Sequence, residues 1–366
     1  MKRCSTSLPM LAAIVLVCTF CASFALAQDA APSARPMFAT MPPHSYSTPN
    51  TAPAANLAQW NGAWTHKGQR TTFVMVGADP RQSNATTTIP TFIIPIKFVY
   101  GAQNGNMTFD PTLNTNFGSM STVTMIQGSP LMQSNVHFIQ GGTDLGTTQY
   151  LDAYQRANFW SVTKTKTGYH TLLGTPVVLP TQTITVTPSQ GSVIANPFLP
   201  GKKVGTMDIN AFDVKLQGFM AALTQIQPNT FPIFVGYDIY LTSGGCCIGG
   251  YHSANSGPPA GQTYAFSSQV DQGNGVFSQD VAALSHEIGE WYDDPFTNNR
   301  VPCTDNSILE NGDPLVLHDF PYNISGFNYH LQDLVFIDYF GAPKTIPVNN
   351  WLSFQNDEKN TCPGLP

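Results

Sequence analysis

Ala282-Ala-Leu-Ser-His-Glu-Ile-Gly-Glu-Trp-Tyr-Asp-Asp-Pro295 is the stretch that decides how this chain folds. As a helix it is expected to start near Ser278, whose hydroxyl suits an N-cap, with Asp280 in the first turn where negative charge complements the helix dipole. It must end by Asp294, because Pro295 disfavours the helical conformation in the residue before it. At about 100° per residue, Val281, Leu284, Ile288 and Trp291 form one stripe. His286 and Glu290 form the roughly opposite stripe, because residues four apart project together, and Glu287 lies on its flank. One face therefore suits a core, and the other offers an imidazole and a carboxylate side by side.

This is the geometry of the H-E-x-x-H zinc helix with Glu290 in the second histidine's place. Glu287 points near the metal without having to bind it, which suits a general base. The plainer alternative is an exposed His–Glu pair, worth a few tenths of a kcal/mol. Glu310, within Leu-Glu-Asn-Gly-Asp-Pro, weighs against that alternative. A catalytic zinc site needs three protein ligands and an open position. Thermolysin-like zinc peptidases place a glutamate ligand at a similar distance downstream. The expected ligands are thus His286, Glu290 and Glu310.

Residues 1–27 have the form of a secretory signal peptide, with Lys2 and Arg3, an apolar run from Leu8 to Phe24, and Ala25-Leu26-Ala27 as the cleavage site. The mature chain is expected to be secreted or periplasmic, with no membrane anchor. Without Lys2 and Arg3, 14 basic residues face 22 acidic ones, a net of −8, and no basic cluster points to nucleic acid. Cys246, Cys247, Cys303 and Cys362 remain after cleavage. In an oxidising compartment Cys303 or Cys362 is expected to bond to the Cys246-Cys247 loop or to the other, with a bond between the adjacent pair disfavoured by geometry.

The fold class expected is α+β. Residues 28–59, rich in Pro, Ala, Ser and Thr, are expected to form a linker or loosely ordered arm. Residues 60–200 are expected to be β-rich, with strands at Thr71–Val76, Pro90–Tyr100, Val136–Ile139, Gly168–Leu173 and Gln182–Pro188. Pro90 and Pro95 assign the second of these to an edge or bent strand. Thr148–Trp160 is expected to be helical, its aromatics packing on a sheet or lining a carbohydrate or peptide groove. Residues 201–366 are expected to carry a helix at Met207–Gln227, strands at Ile233–Thr242 and Gln262–Ser268, a glycine-cysteine loop at Gly244–Gly250, the metal helix, and a buried closing element at Asn328–Phe340.

Three motifs occur in order: Gly250-Tyr-His-Ser253, His286-Glu-Ile-Gly-Glu290 with Asp294-Pro295, and Glu310-Asn-Gly-Asp313. In this the chain resembles the exordium (phosphate-induced) protein family and its bacterial relatives, over residues 245–315. It departs from them at Asn311, where an aliphatic residue is usual, and at Pro314-Leu315, near which a cysteine is common. The resemblance implies a zincin-like metal site.

Zn²⁺ is the expected ion, and the oxygen-rich ligand set also admits Mn²⁺ or Ca²⁺. Asp294 and Asp313 are candidate supporting carboxylates or alternative ligands. His252, and less directly His318, are candidates to approach the site from flanking loops. The expected function is an exported zinc-dependent hydrolase, a peptidase acting on peptide or protein substrates, with Glu287 as general base. The alternative is a secreted extracellular interaction or signalling protein whose metal is structural. A third is a carbohydrate-binding β-protein without metal.

Overall fold

The computed structural model describes residues 37–42, 55–66, 69–113, 119–270, 278–301, 308–341 and 345–362. The expected signal peptide, most of the expected linker, and Cys303 lie outside these residues. The chain is α+β, with strand outweighing helix.

Its centre is an 11-stranded sheet whose main path runs Val177–Val178, Thr91–Tyr100, Phe231–Tyr237, Thr263–Gln269, Cys246–Ala254, Ile239–Thr242, Lys203–Asp208 and Val193–Ala195. Strands that precede residue 200 lie at both ends of this path, and strands that follow it lie between them. The boundary expected near residue 200 therefore falls inside one sheet. The central strands read as nearly unbroken apolar runs because both faces are covered. Ile93, Ile233 and Ala265 face one core with Leu284, Ile288 and Trp291 of the helix Ala282–Asp293. Ile94, Phe234 and Phe266 face the other, with Phe212, Leu216 and Met220 of the helix Ile209–Ala222. Successive residues of a strand point to opposite faces, which places one helix on each side.

Thr91–Tyr100 is an interior strand, which overturns the edge placement in the expected edge or bent strand. Phe231–Tyr237 flanks it on one side, and Val177–Val178 and Gln182–Val186 pair with Phe92–Ile93 and Ile96–Tyr100. Pro95 falls in the gap between those last two pairings, where its missing N–H interrupts neither. The expected single strand Ile233–Thr242 is two strands broken at Asp238, whose φ is 52°. The glycine-cysteine loop is likewise corrected: Cys246–Ala254 is a strand that pairs with both Thr263–Gln269 and Ile239–Thr242.

The metal-motif helix begins at Ala282, with Val281 at the N-cap, later than the expected start at Ser278. Ser278 and Asp280 are engaged elsewhere. The Ser278 hydroxyl lies 3.1 Å from that of Tyr240, and the Asp280 carboxylate receives the His330 backbone N–H at 2.8 Å. The expected split into buried and open faces also fails, since all 12 helical residues are buried. The sheet covers one side. The helix Tyr150–Asn158 and the strands Gln69–Val76 and Phe327–Gln332 also pack against the metal-motif helix. Tyr150 and Tyr154 are fully buried in this layer, so these two aromatics pack, whereas Phe159 of the same expected helix lines a cleft.

Part of the expected linker is also ordered. Met37–Phe38 is a strand parallel to Cys246–Ala254, and the Gln59–His66 strand starts inside the linker's last residue. Cys246 and Cys247 are bonded to each other across a cis peptide, contrary to expectation. Cys362 is disulfide-bonded, with a partner outside the described residues.

Candidate metal centre

His252 comes from the Cys246–Ala254 strand, and His286, Glu287 and Glu290 from the helix that crosses beneath it. Strand and helix can approach because position 250 is glycine. A Cβ there would lie 2.8 Å from Cγ and Oε1 of Glu287. Glu310 and Asp313 come from the segment that returns past the helix. Gly312 allows its close approach, since a Cβ there would lie 2.4 Å from Nδ1 of His286. The Gly312 N–H donates to Oε1 of Glu290 at 3.2 Å.

Two groups of side chains are placed to hold a metal ion: His252, Glu290 and Glu310, and His286, Glu290 and Asp313. In each, the ligand atoms lie within 4.8 Å of one another. Glu290 is common to both. The structure thus brings Glu290 and Glu310 together as expected but pairs them with His252, and it gives His286 the company of Asp313. Nε2 of His286 lies 3.0 Å from Oε1 of Glu290 and 3.8 Å from Oδ1 of Asp313. Nδ1 of His252 lies 3.3 Å from Oε2 of Glu287 and 3.6 Å from Oε2 of Glu290.

Both imidazoles are oriented from behind. Nδ1–H of His286 donates to Oε1 of Gln332 at 3.0 Å, and the Gln332 amide donates onward to the Gly312 carbonyl at 2.6 Å. Nε2–H of His252 donates to the Asp294 carbonyl at 3.1 Å. These outer bonds fix the tautomers, leaving Nε2 of His286 and Nδ1 of His252 as lone pairs aimed into a group of carboxylates. Such an arrangement is repulsive unless a proton or a cation lies between.

Burial sets the charge states. It pulls His252 down to about 3 and His286 down to about 4, so both rings are neutral. It pushes Glu287, Glu290 and Glu310 well above the ordinary carboxylate range. For Glu287 and Glu310 the next cause is repulsion from Glu290, and for Glu290 it is repulsion from Asp313. Nε2 of His286, Oε1 of Glu287 and both carboxylate oxygens of Glu310 are buried with no hydrogen-bond partner among the described residues. Buried polar atoms without partners cost free energy, and a divalent cation would satisfy several of them at once.

Asp294 is committed elsewhere. Its carboxylate accepts the N–H groups of Asn298 and Asn299 at 2.9 and 3.0 Å, shaping the turn after the helix. His318 is exposed, lies 3.7 Å from Asp357 and belongs to neither metal-capable group. Sequence reasoning missed Gln332, Asn311 and Phe38. Nδ2 of Asn311 donates to Tyr154 and Asp293, each at 2.9 Å, anchoring the segment that carries Glu310. The Phe38 ring stacks on His286. No spacing rule marks these residues, because their partners are remote in sequence.

A cleft lined by Trp60, Trp64, Phe73, Arg81 and Phe159 shares no residue with the cluster. Comparison with protein-family models, with curated proteins and with solved structures gave no match.

Proposed function

We propose that this chain is an exported metal-dependent hydrolase, with peptides as its substrate class and a zincin-like site. The observation that carries this reading is the pair of neutral imidazoles, each fixed from behind and each presenting a lone pair to buried carboxylates. Glu290 would hold the cation with one of two sets of partners, His252 and Glu310 or His286 and Asp313. Zn²⁺ is the first expectation for a nitrogen and oxygen set, and Mn²⁺ or Ca²⁺ also fits the oxygen-rich share. When bound, the ion would supply Lewis-acid polarisation of a carbonyl and lower the pKa of water.

The chain's own residues would do the rest. Glu287 is raised well above the usual range chiefly by burial, so it would hold a proton taken from water until the leaving amine needs one. With the cation on the His286 set, Nδ1 of His252, 3.3 Å from Oε2 of Glu287, would be free to orient that carboxyl. The exordium resemblance of residues 245–315 supports the same site without specifying turnover.

A second reading, an extracellular interaction protein with a structural ion, is favoured by one observation: His252, His286, Glu287, Glu290 and Glu310 are all buried. Elemental analysis of the purified protein, with hydrolysis of a quenched-fluorescence peptide library by wild type and Glu287→Gln, separates the two. The hydrolase reading expects a bound divalent ion in both proteins and turnover in the wild type alone. An ion with no turnover in either would leave the structural role, and no ion at all would end both readings.

A further inference from the structure

Residues 37–42 lie against the cluster, and the surface under them is built to receive an extended chain. Met37 and Phe38 pair in parallel with Ile248 and Gly250, and the Ala39 N–H reaches the Gly250 carbonyl at 3.4 Å. At Gly250 the other side of the strand is already occupied, by Ser267. The arm therefore fills the one side on which another strand can add. The Phe38 ring lies on the His286 imidazole with centroids 3.6 Å apart and planes 16° from parallel. Further on, the Met41 carbonyl accepts the Ser253 hydroxyl at 2.9 Å and the Thr297 hydroxyl at 2.8 Å. Ser253 also lies 3.5 Å from the Pro42 carbonyl.

Ser253 and Thr297 are 0% and 2% exposed, so two buried hydroxyls are aimed at a backbone carbonyl of this arm. Side-chain donors directed at main-chain carbonyls, an open strand side and a flat ring surface are the elements by which proteins bind extended peptides irrespective of most side chains. The arm's own hold is slight. Its strand is only two residues long, and the Ala39 N–H that continues the pairing reaches the Gly250 carbonyl at 3.4 Å.

We infer that residues 37–42 occupy this chain's own peptide groove, and that the groove takes an extended peptide carrying an aromatic side chain over His286. The arm and an incoming peptide exclude one another, so the arm competes with substrate and slows turnover in the intact chain without abolishing it. Turnover in this scheme rests on the hydrolase reading above; peptide binding does not.

The test uses the full chain and a fluorescein-labelled peptide, Met-Phe-Ala-Thr-Met-Pro, copied from residues 37–42. Fluorescence anisotropy measures its binding to wild type, to Phe38→Ala, which removes the stacked ring, and to Ala39→Pro, which removes the N–H facing Gly250. A peptide with Ala in place of Phe is the control. The peptide should bind both variants at least about tenfold more tightly than the wild type, whose groove is filled by its own arm. The control peptide should bind them more weakly. Equal affinity for all three proteins, binding by none of them, or indifference to the Phe would each overturn the inference. Metal content of the same samples is read separately. Peptide binding without metal would sink the hydrolase reading and leave the groove; metal and turnover without peptide binding would do the reverse.

Discussion

Gln332 holds His286 in place: its Oε1 accepts from Nδ1 of the imidazole at 3.0 Å, across 46 residues of sequence. Acceptors behind a ligating histidine fix both its ring plane and its tautomer, and removing one typically costs about 10- to 100-fold in metal affinity. Gln332→Leu should show a loss of that size in a chelator competition titration. Gln332→Glu, which keeps an acceptor, should recover part of it. Unchanged affinity in Gln332→Leu would mean that His286 is not a ligand.

Gly250→Ala places a methyl group where Cγ and Oε1 of Glu287 stand, with the Phe266 carbonyl 3.0 Å away. The carbonyl belongs to the sheet backbone, so the glutamate must yield. Overpacking of this kind costs about 1–3 kcal/mol. The variant should fold, keep its metal, and lose turnover along with that stability. Full turnover in a folded Gly250→Ala would show that Glu287 is not the base.

Trp291 ties the metal helix to the sheet. Its ring stacks on Phe231 at 3.7 Å, and its indole N–H donates to the Thr263 hydroxyl at 2.9 Å. Trp291→Ala should cost about 3–5 kcal/mol in denaturant unfolding. Trp291→Phe keeps a stacked ring and loses the hydrogen bond, for about 1 kcal/mol. Equal losses in the two variants would place the stabilisation in the hydrogen bond rather than in the packing.

These residues also show what the sequence made legible. The stripe Val281, Leu284, Ile288 and Trp291 was readable because helical periodicity is local, and Pro295 marked the helix end for the same reason. The convergence of Glu290 and Glu310 was readable because one helix and one returning loop suffice to produce it. The covering of the helix's second face was not readable. It depends on Tyr154 and the Phe327–Gln332 strand arriving from remote parts of the chain. The interior placement of Thr91–Tyr100 was hidden by Pro95, whose tolerance depends on where two other strands stop and start. The arm at Phe38 was hidden by its composition, since proline-rich sequence around a two-residue strand carries no periodic signal.

Removing the metal should change how stability depends on pH. Glu287, Glu290 and Glu310 are raised well above 4.5, first by burial. A carboxyl with a raised folded pKa stabilises the fold fully below its unfolded value, and that contribution is lost as pH rises through the folded one. His252 and His286 act in the opposite sense. Burial lowers them from 6.5 to about 3 and about 4, so their contribution is complete above 6.5 and is lost as pH falls below it. Above pH 6.5 both of these rings are neutral in folded and unfolded chains alike, so within the cluster only the carboxylates contribute a slope there, while His170 and His330, raised by their bonds to Asp152 and Asp280, add one of the same sign from outside it. The metal-stripped protein should therefore lose thermal stability as pH rises above 6.5. A divalent cation favours the ionised carboxylates and removes their excess protonation, so the loaded protein should show a smaller decline. The stabilisation gained on adding metal should accordingly grow with pH across this window. Thermal unfolding of stripped and reloaded protein measures it. A gain independent of pH would show that the cation does not sit among these carboxylates.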